Sequence, residues 1–85
     1  MEEKIIDCTK IKTREDLHRI FRETLSFPDW YGNNLDALYD CLTSITEQTH
    51  ITLLHFDPLD QMYSGFQDVF QDAQEANPRL LITIE

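Results

Sequence analysis

The sequence predicts an α/β fold, in which a three-stranded parallel sheet is packed mainly on one face by helices. Three short segments rich in branched residues, each bounded by turn or polar residues, have the character of strands: residues 5–8, 51–56 and 80–84. The segments between them repeat apolar residues at helical spacing. Helices that lie between strands favour parallel pairing, because each connection has to return to the same end of the sheet.

Three helices are predicted in the gaps between these strands. The first has Thr13 as its expected N-cap, with Asp16 in a capping-box-like position, and it ends before Pro28. The second follows a turn and can be capped by Asn33 or Asn34. Each helix has one apolar stripe: Leu17, Ile20, Phe21 and Leu25 in the first, Leu35, Leu38, Leu42 and Ile45 in the second, and Phe66, Val69, Phe70 and Ala73 in the third.

The predicted element order is β-α-α-β-α-β in a single domain, residues 1–85. Right-handed crossovers that advance in one direction place their helices on one face of the sheet. Strands in sequence order would leave the other face partly solvated, which would explain Asp7, Thr52 and Thr83 within the strands. A 2-1-3 strand order would place helices on both faces, and the sequence leaves this alternative open.

The composition is typical of a small globular protein of the cytoplasm. Of 85 residues, 41% are hydrophobic, and no apolar run approaches the roughly 18 residues that a membrane span needs. The first residues are too charged for a signal peptide. Cys8 and Cys41 can form at most one disulfide and lack metal-ligand spacing. We therefore expect buried free thiols, no bound metal and no cofactor.

The acidic charge is unevenly distributed along the chain. The formal net charge is −9, from 7 Lys and Arg residues and 16 Asp and Glu residues. From Glu23 to Pro78 there are ten Asp and Glu residues and no Lys or Arg. Such a field repels nucleic acid phosphates and attracts cations or a basic protein. We expect no direct nucleic acid binding, although an acidic surface can also serve solubility alone.

One face of the second helix combines acidic and aromatic residues. At about 100° per residue, this face carries Asp36, Tyr39, Asp40, Thr43 and Glu47. The carboxylates of Asp36 and Asp40 repel each other, and Trp30 and Tyr31 lie in the loop just before the helix. Aromatic anchors beside acids suit a protein interface. The alternative is a solvated helix face with Trp30 and Tyr31 in the core.

A pair of aspartates could also serve acid–base catalysis or bind a metal. No third ligand, His-x-x-x-His motif, glycine-rich phosphate loop or nucleophile elbow accompanies Asp36 and Asp40. The three histidines, His18, His50 and His55, occupy positions expected of structural or exposed residues. We therefore predict that the protein is not an enzyme and has no catalytic residues.

The segment Tyr31–Thr43, with the sequence YGNNLDALYDCLT, resembles the signature of the barstar family. The similarity extends over nearly the whole chain, through DLH at 16–18, LSFP at 25–28, VFQDA at 69–73 and ITI at 82–84. The resemblance implies a three-stranded parallel sheet packed against helices. It also implies a cytoplasmic bacterial inhibitor whose acidic helix and preceding loop plug the active site of a ribonuclease.

The resemblance also implies roles for individual residues. Asp40 would occupy the place of an RNA phosphate, facing the enzyme's Arg, Lys and His side chains, and Asp36 would add a second charged contact. The implied partner-binding set is completed by Trp30, Tyr31, Asn34, Tyr39, Thr43 and Asp72.

Some of these positions depart from the family pattern. Trp30 stands where the family usually has Tyr, Tyr39 replaces Trp, and Asp72 replaces the longer Glu. Ser44-Ile45 stands where the better-known member has Gly-Trp, and Asn33 replaces an acid. The identity of the nuclease is therefore not implied by the resemblance.

Three hypotheses follow for function. The preferred one is a stoichiometric inhibitor of a basic extracellular-type ribonuclease or ribonuclease toxin, acting without turnover. The second is an interaction or immunity module of the same fold whose basic partner is not a ribonuclease. The third and weakest is a hydrolase that uses Asp36 and Asp40.

Overall fold

The strands pair in the order in which they occur along the chain. In the computed structural model, which describes residues 1–85, one parallel sheet is formed by β1 (Glu2–Asp7), β2 (Thr49–Leu54) and β3 (Leu80–Ile84). The strand order is β1-β2-β3, with both neighbouring pairs parallel. The predicted α/β class and three-stranded parallel sheet are confirmed, and the 2-1-3 order is not adopted.

Three helices connect the strands, as predicted. They are α1 (Arg14–Leu25), α2 (Leu35–Thr43) and α3 (Phe66–Ala76). The capping box predicted for α1 is present, since the Thr13 side chain accepts from the Asp16 backbone N–H and the Asp16 carboxylate accepts from the Thr13 N–H. Of the two asparagines that could cap α2, Asn34 does so. Short 3₁₀ turns follow β1 and precede α3.

Two strands differ from their predicted boundaries. β1 ends at Asp7 rather than Cys8, because the Asp7 carboxylate accepts from the backbone and hydroxyl of Thr9 and so opens a 3₁₀ turn. β2 covers residues 49–54 rather than 51–56. It stops because His55 has a φ of 60°, in the left-handed region, which ends extended structure.

The core lies between one face of the sheet and the helices. On β2 the side chains alternate, with Thr49, Ile51 and Leu53 buried and the residues between them half-buried. The helices contribute the largest fully buried side chains, among them Phe21, Leu38, Leu42, Phe66 and Phe70. This packing fixes α2 by its leucine stripe and leaves its opposite face outside the core.

The other face of the sheet is open to solvent. Ile5 of β1 is 65% exposed and Leu81 of β3 is 48% exposed. Between them His50 joins all three strands, with Nδ1 2.9 Å from a Glu3 carboxylate oxygen and Nε2 2.8 Å from the Thr83 hydroxyl. None of the helices is long and apolar enough to traverse a lipid bilayer.

Candidate partner-binding site

The loop between α1 and α2, residues 26–34 and hereafter the binding loop, has a defined backbone. Ser26 closes α1 in the left-handed region, with φ 56° and its N–H donating to Arg22 O. Inside the loop, the Tyr31 N–H donates to the Pro28 carbonyl at 2.9 Å. Asn33 has a φ of 52°, a conformation that asparagine tolerates better than most residues. Local hydrogen bonds and two residues in the left-handed region therefore determine the path of the loop from α1 to α2.

Trp30 and Tyr31, neighbouring aromatic residues of the binding loop, have opposite environments. Trp30 is 68% exposed, whereas Tyr31 is only 4% exposed and packs against Phe27 with ring centroids 5.1 Å apart. The hydroxyl of Tyr31 is hydrogen-bonded to His18 Nδ1 at 2.5 Å. Burial raises the pKa of the Tyr31 phenol and lowers that of the His18 imidazole, so both stay neutral at neutral pH. Of this pair of predicted contacts, only Trp30 is presented on the surface.

The outer face of α2 carries two of the three acidic residues predicted for it, because the helix ends at Thr43 and Glu47 lies beyond it. Asp36 and Asp40 are exposed, and Tyr39 and Thr43 are half-buried beside them. The opposite face, with Leu38, Cys41 and Leu42, is buried. Burial also raises the pKa of the Cys41 thiol, which keeps it protonated. Both cysteines are buried as free thiols.

The carboxylates of this surface have no cationic partner within the molecule. The salt bridges of the chain join Lys4 to Glu2 and Arg19 to Asp16, and the His50 imidazole contacts the Glu3 carboxylate. None involves Asp36, Asp40 or Asp72, which is one of the exposed acids on α3, the helix that packs against α2. Their charge is therefore directed to solvent, where it is available to a basic partner.

Two predicted contact residues have local structural roles. Asn34 caps α2, since its side-chain oxygen accepts from Ala37 N at 2.8 Å and its amide nitrogen donates to Gly32 O at 3.3 Å. The Thr43 hydroxyl donates to the Tyr39 carbonyl at 2.8 Å, which holds it against the last turn of α2. Both side chains are thereby fixed by the fold before any partner arrives.

An open pocket of about 590 Å³ borders this surface, between α1 and the start of α2. This pocket is not predictable from local sequence patterns, because residues of α1 and of the start of α2 form it jointly. Arg14 on its wall donates to the carbonyls of Met62 and Ser64 at 3.0 and 2.8 Å, so its charge is engaged by the β2–α3 connection. The lining is mostly polar: Arg14, Glu15, His18, Asn33, Asn34, Leu35 and Asp36.

No group of three or more His, Cys, Asp or Glu side chains could hold a metal ion. One carboxylate–imidazole–hydroxyl chain, Glu3–His50–Thr83, has no signal in the sequence, because only the strand register brings these three residues together. It lies on the open face of the sheet, and its residues line none of the pockets. Its hydrogen bonds connect the three strands.

The fold and the surface define a class: a small α/β domain that presents unpaired carboxylates and one exposed tryptophan around a short helix. The family profile described as Barstar (barnase inhibitor) matches residues 1–84. The chain belongs to this family, which confirms the resemblance found in the sequence. It is also similar to a Bacillus subtilis (strain 168) protein named "Putative ribonuclease inhibitor YrdF", with 38% identity over 80 residues that cover 88% of each chain.

Proposed function

We propose that this protein inhibits a basic ribonuclease by covering its active site with α2 and the binding loop. The observation that carries the proposal is the surface of α2, where Asp36 and Asp40 are exposed, unpaired and preceded in the chain by the exposed Trp30. Membership of the Barstar (barnase inhibitor) family and the name of the Bacillus relative both support a ribonuclease as the partner.

The position of Asp40 favours a functional role over a structural one. α2 ends at Thr43, so Asp40 lies in the C-terminal half of the helix. A negative charge there interacts unfavourably with the helix dipole and destabilises the helix by about 0.3–1 kcal/mol. Its repulsion from Asp36, four residues earlier, adds about 0.2–0.5 kcal/mol. No Lys or Arg in the last turn of α2 offsets either effect. A residue that destabilises its own helix in this way suggests a requirement for binding.

In the proposed mechanism the inhibitor imitates the charge of the substrate. A ribonuclease binds RNA phosphates with cationic side chains, and the Asp40 carboxylate would take the place of one phosphate. Asp36 and Asp72 would add charged contacts, while Trp30 and Tyr39 would supply apolar area that excludes water around them. Because the helix contains no phosphodiester bond, the nuclease could not cleave it. Inhibition would therefore be stoichiometric, and the protein would not act as an enzyme.

The proposed partner is a basic ribonuclease of the extracellular type or a ribonuclease toxin. The acidic stretch from Glu23 to Pro78 would attract such a protein over a long range and would repel RNA itself. An inhibitor of a secreted or incoming nuclease has to act where the cell keeps its own RNA. We therefore place the protein in the bacterial cytoplasm, where it would give immunity to the nuclease.

The direct test is titration of a barnase-type ribonuclease with the purified protein while RNA cleavage is measured. We expect cleavage to stop at one equivalent of inhibitor, and an excess of RNA to slow the onset of inhibition by competing for the same site. The relative from Bacillus subtilis, treated identically, is the matched reference. If the protein binds the nuclease without inhibiting cleavage, or leaves it unbound across a panel of basic ribonucleases, the proposed function is wrong.

A further inference from the structure

The binding loop has one side-chain hydrogen bond to an element other than α2. Trp30, Asp29 and Asn33 are exposed, and the amide of Asn34 is taken up by α2 and by Gly32. The bond between the Tyr31 hydroxyl and His18 Nδ1 is the exception, because it ties the middle of the loop to the middle of α1.

His18 is itself held firmly in the core. The residue is 3% exposed, and its ring packs against Tyr31 and against Phe66 of α3, with centroid distances of 5.7 and 5.0 Å. The Arg14 guanidinium covers the Phe66 ring at 4.9 Å. The imidazole therefore connects the binding loop to both α1 and α3.

The location of Tyr31 gives this bond influence over the proposed binding surface. Trp30 is its immediate neighbour in the chain, and Asn34, which starts α2, follows only three residues later. A displacement of Tyr31 would move the exposed tryptophan and the first turn of the acidic helix together. Surfaces that are held in the bound conformation before association lose less entropy when they bind.

We propose, building on the inhibitory function proposed above, that His18 and Tyr31 are positioning residues that hold the binding loop in its partner-binding conformation. His18 acts through Tyr31, because His18 is 3% exposed and its Nδ1 is engaged by the Tyr31 hydroxyl. Trp30 makes the contact, and the buried pair beneath it determines where the indole is presented.

Trp30 is the single tryptophan of the chain, so its fluorescence reports on the loop without any partner. We expect Tyr31→Phe, which keeps the ring packing and removes the hydroxyl, to increase the fast component of the Trp30 anisotropy decay. The matched control is Tyr63→Phe, because Tyr63 is equally buried but stacks on Phe56, away from the binding loop. The control should leave the anisotropy decay as in the wild type.

The second measurement is inhibition of a barnase-type ribonuclease by the same folded variants. Tyr31→Phe should weaken inhibition about fivefold, the equivalent of one lost hydrogen bond, whereas Tyr63→Phe should not. His18→Leu should reproduce the loss, and His18→Asn, whose amide can replace Nδ1, should restore most of it. If His18→Leu does not fold, the positioning role is tested by the other two variants: Tyr31→Phe should inhibit more weakly than the wild type, whereas His18→Asn should retain most of the inhibition.

The outcomes separate this inference from the function on which it rests. Unchanged anisotropy and unchanged inhibition in Tyr31→Phe would overturn the positioning role while leaving the inhibitor intact. Equal weakening by Tyr31→Phe and Tyr63→Phe would also overturn it, since the effect would then follow stability alone. A wild type that inhibits no ribonuclease would refute the proposed function, and with it the positioning of a ribonuclease-binding surface.

Discussion

The side chain of Asn77 closes the C-terminal end of α2 from the end of α3. Its amide nitrogen donates to the carbonyls of Leu42 and Ile45, both at 3.0 Å, and its side-chain oxygen accepts from Arg79 N at 3.1 Å. Asn77 is 4% exposed; its bond to Leu42 O is buried, and its bond to Ile45 O is partly buried. One buried amide thus satisfies the end of the acidic helix and the turn into β3.

Replacing Asn77 by alanine should destabilise the protein by about 2 kcal/mol, because the carbonyls of Leu42 and Ile45 and the N–H of Arg79 would each lose a side-chain partner. Urea denaturation followed by circular dichroism measures the free energy of unfolding. The control is Gln71→Ala on the exposed face of α3, which should change it by less than about 0.5 kcal/mol. A change in Asn77→Ala as small as in the control would contradict the role assigned to this amide.

The fold was largely predictable from the sequence because its signals are local. Apolar spacing, the Thr13 capping box and short branched segments all agree with the tertiary structure. The strand ends were not predictable, since Glu2 and Glu3 have no strand character of their own. They extend β1 because its register pairs them with Thr49 and His50 of β2.

The site was predictable only in part. The outward face of α2 follows from helical periodicity, which separates Asp36 and Asp40 from the leucine stripe. The burial of Tyr31 does not follow, because it depends on His18, 13 residues away and on another element. No local signal predicts it, because Trp30 lies in a turn closed by the bond from the Tyr31 N–H to the Pro28 carbonyl, where side chains do not alternate as in a strand.

Acidification should destabilise the protein through His18. Burial lowers the pKa of His18 in the folded state below its ordinary value of 6.5. At a pH between the folded pKa and 6.5, His18 is protonated in the unfolded chain but not in the folded protein. The free energy of unfolding therefore decreases as the pH falls through this range. We expect the free energy of unfolding to decrease from neutral pH to about pH 5, as measured by urea denaturation at each pH.

The variant His18→Asn should lose this part of the pH dependence, although it is less stable at neutral pH. Asp7 and Asp16 change the stability in a lower pH range. Hydrogen bonds from Thr9 hold the pKa of Asp7 below 3.8, and a hydrogen bond from the Lys12 backbone holds that of Asp16 below 3.8. Their stabilisation is present above 3.8 and disappears only as the pH falls through their folded values. A wild-type stability that is constant down to about pH 5 would exclude the assignment to His18.

Association with the nuclease should be steered by charge. The acidic stretch from Glu23 to Pro78 contains no Lys or Arg, and the carboxylates on α2 and α3 have no internal partner. Exposed charges are screened beyond about 10 Å at 0.1 M salt. The association rate constant, measured by stopped flow, should therefore fall steeply with salt, while dissociation changes less. An association rate that is indifferent to salt would rule out steering but not inhibition.

Asp40→Ala should separate stability from binding. The substitution removes a carboxylate that repels Asp36 and opposes the helix dipole, so the melting temperature should stay the same or rise slightly. Binding to the nuclease should weaken by more than about 2 kcal/mol, because the cationic pocket of the partner would be buried without its counter-charge. Thermal melts and inhibition titrations of the same preparations measure the two effects side by side.

Asp29→Ala is the matched control, since Asp29 is an exposed acid of the binding loop just before Trp30. As a charge at the rim it should affect binding far less than Asp40. If α2 presented only a solvated face, both substitutions would have small and similar effects on binding. Because both variants remove one exposed carboxylate, the difference between them isolates position from net charge. If Asp40→Ala inhibits as tightly as the wild type, Asp40 is not the phosphate mimic and the proposed mechanism fails.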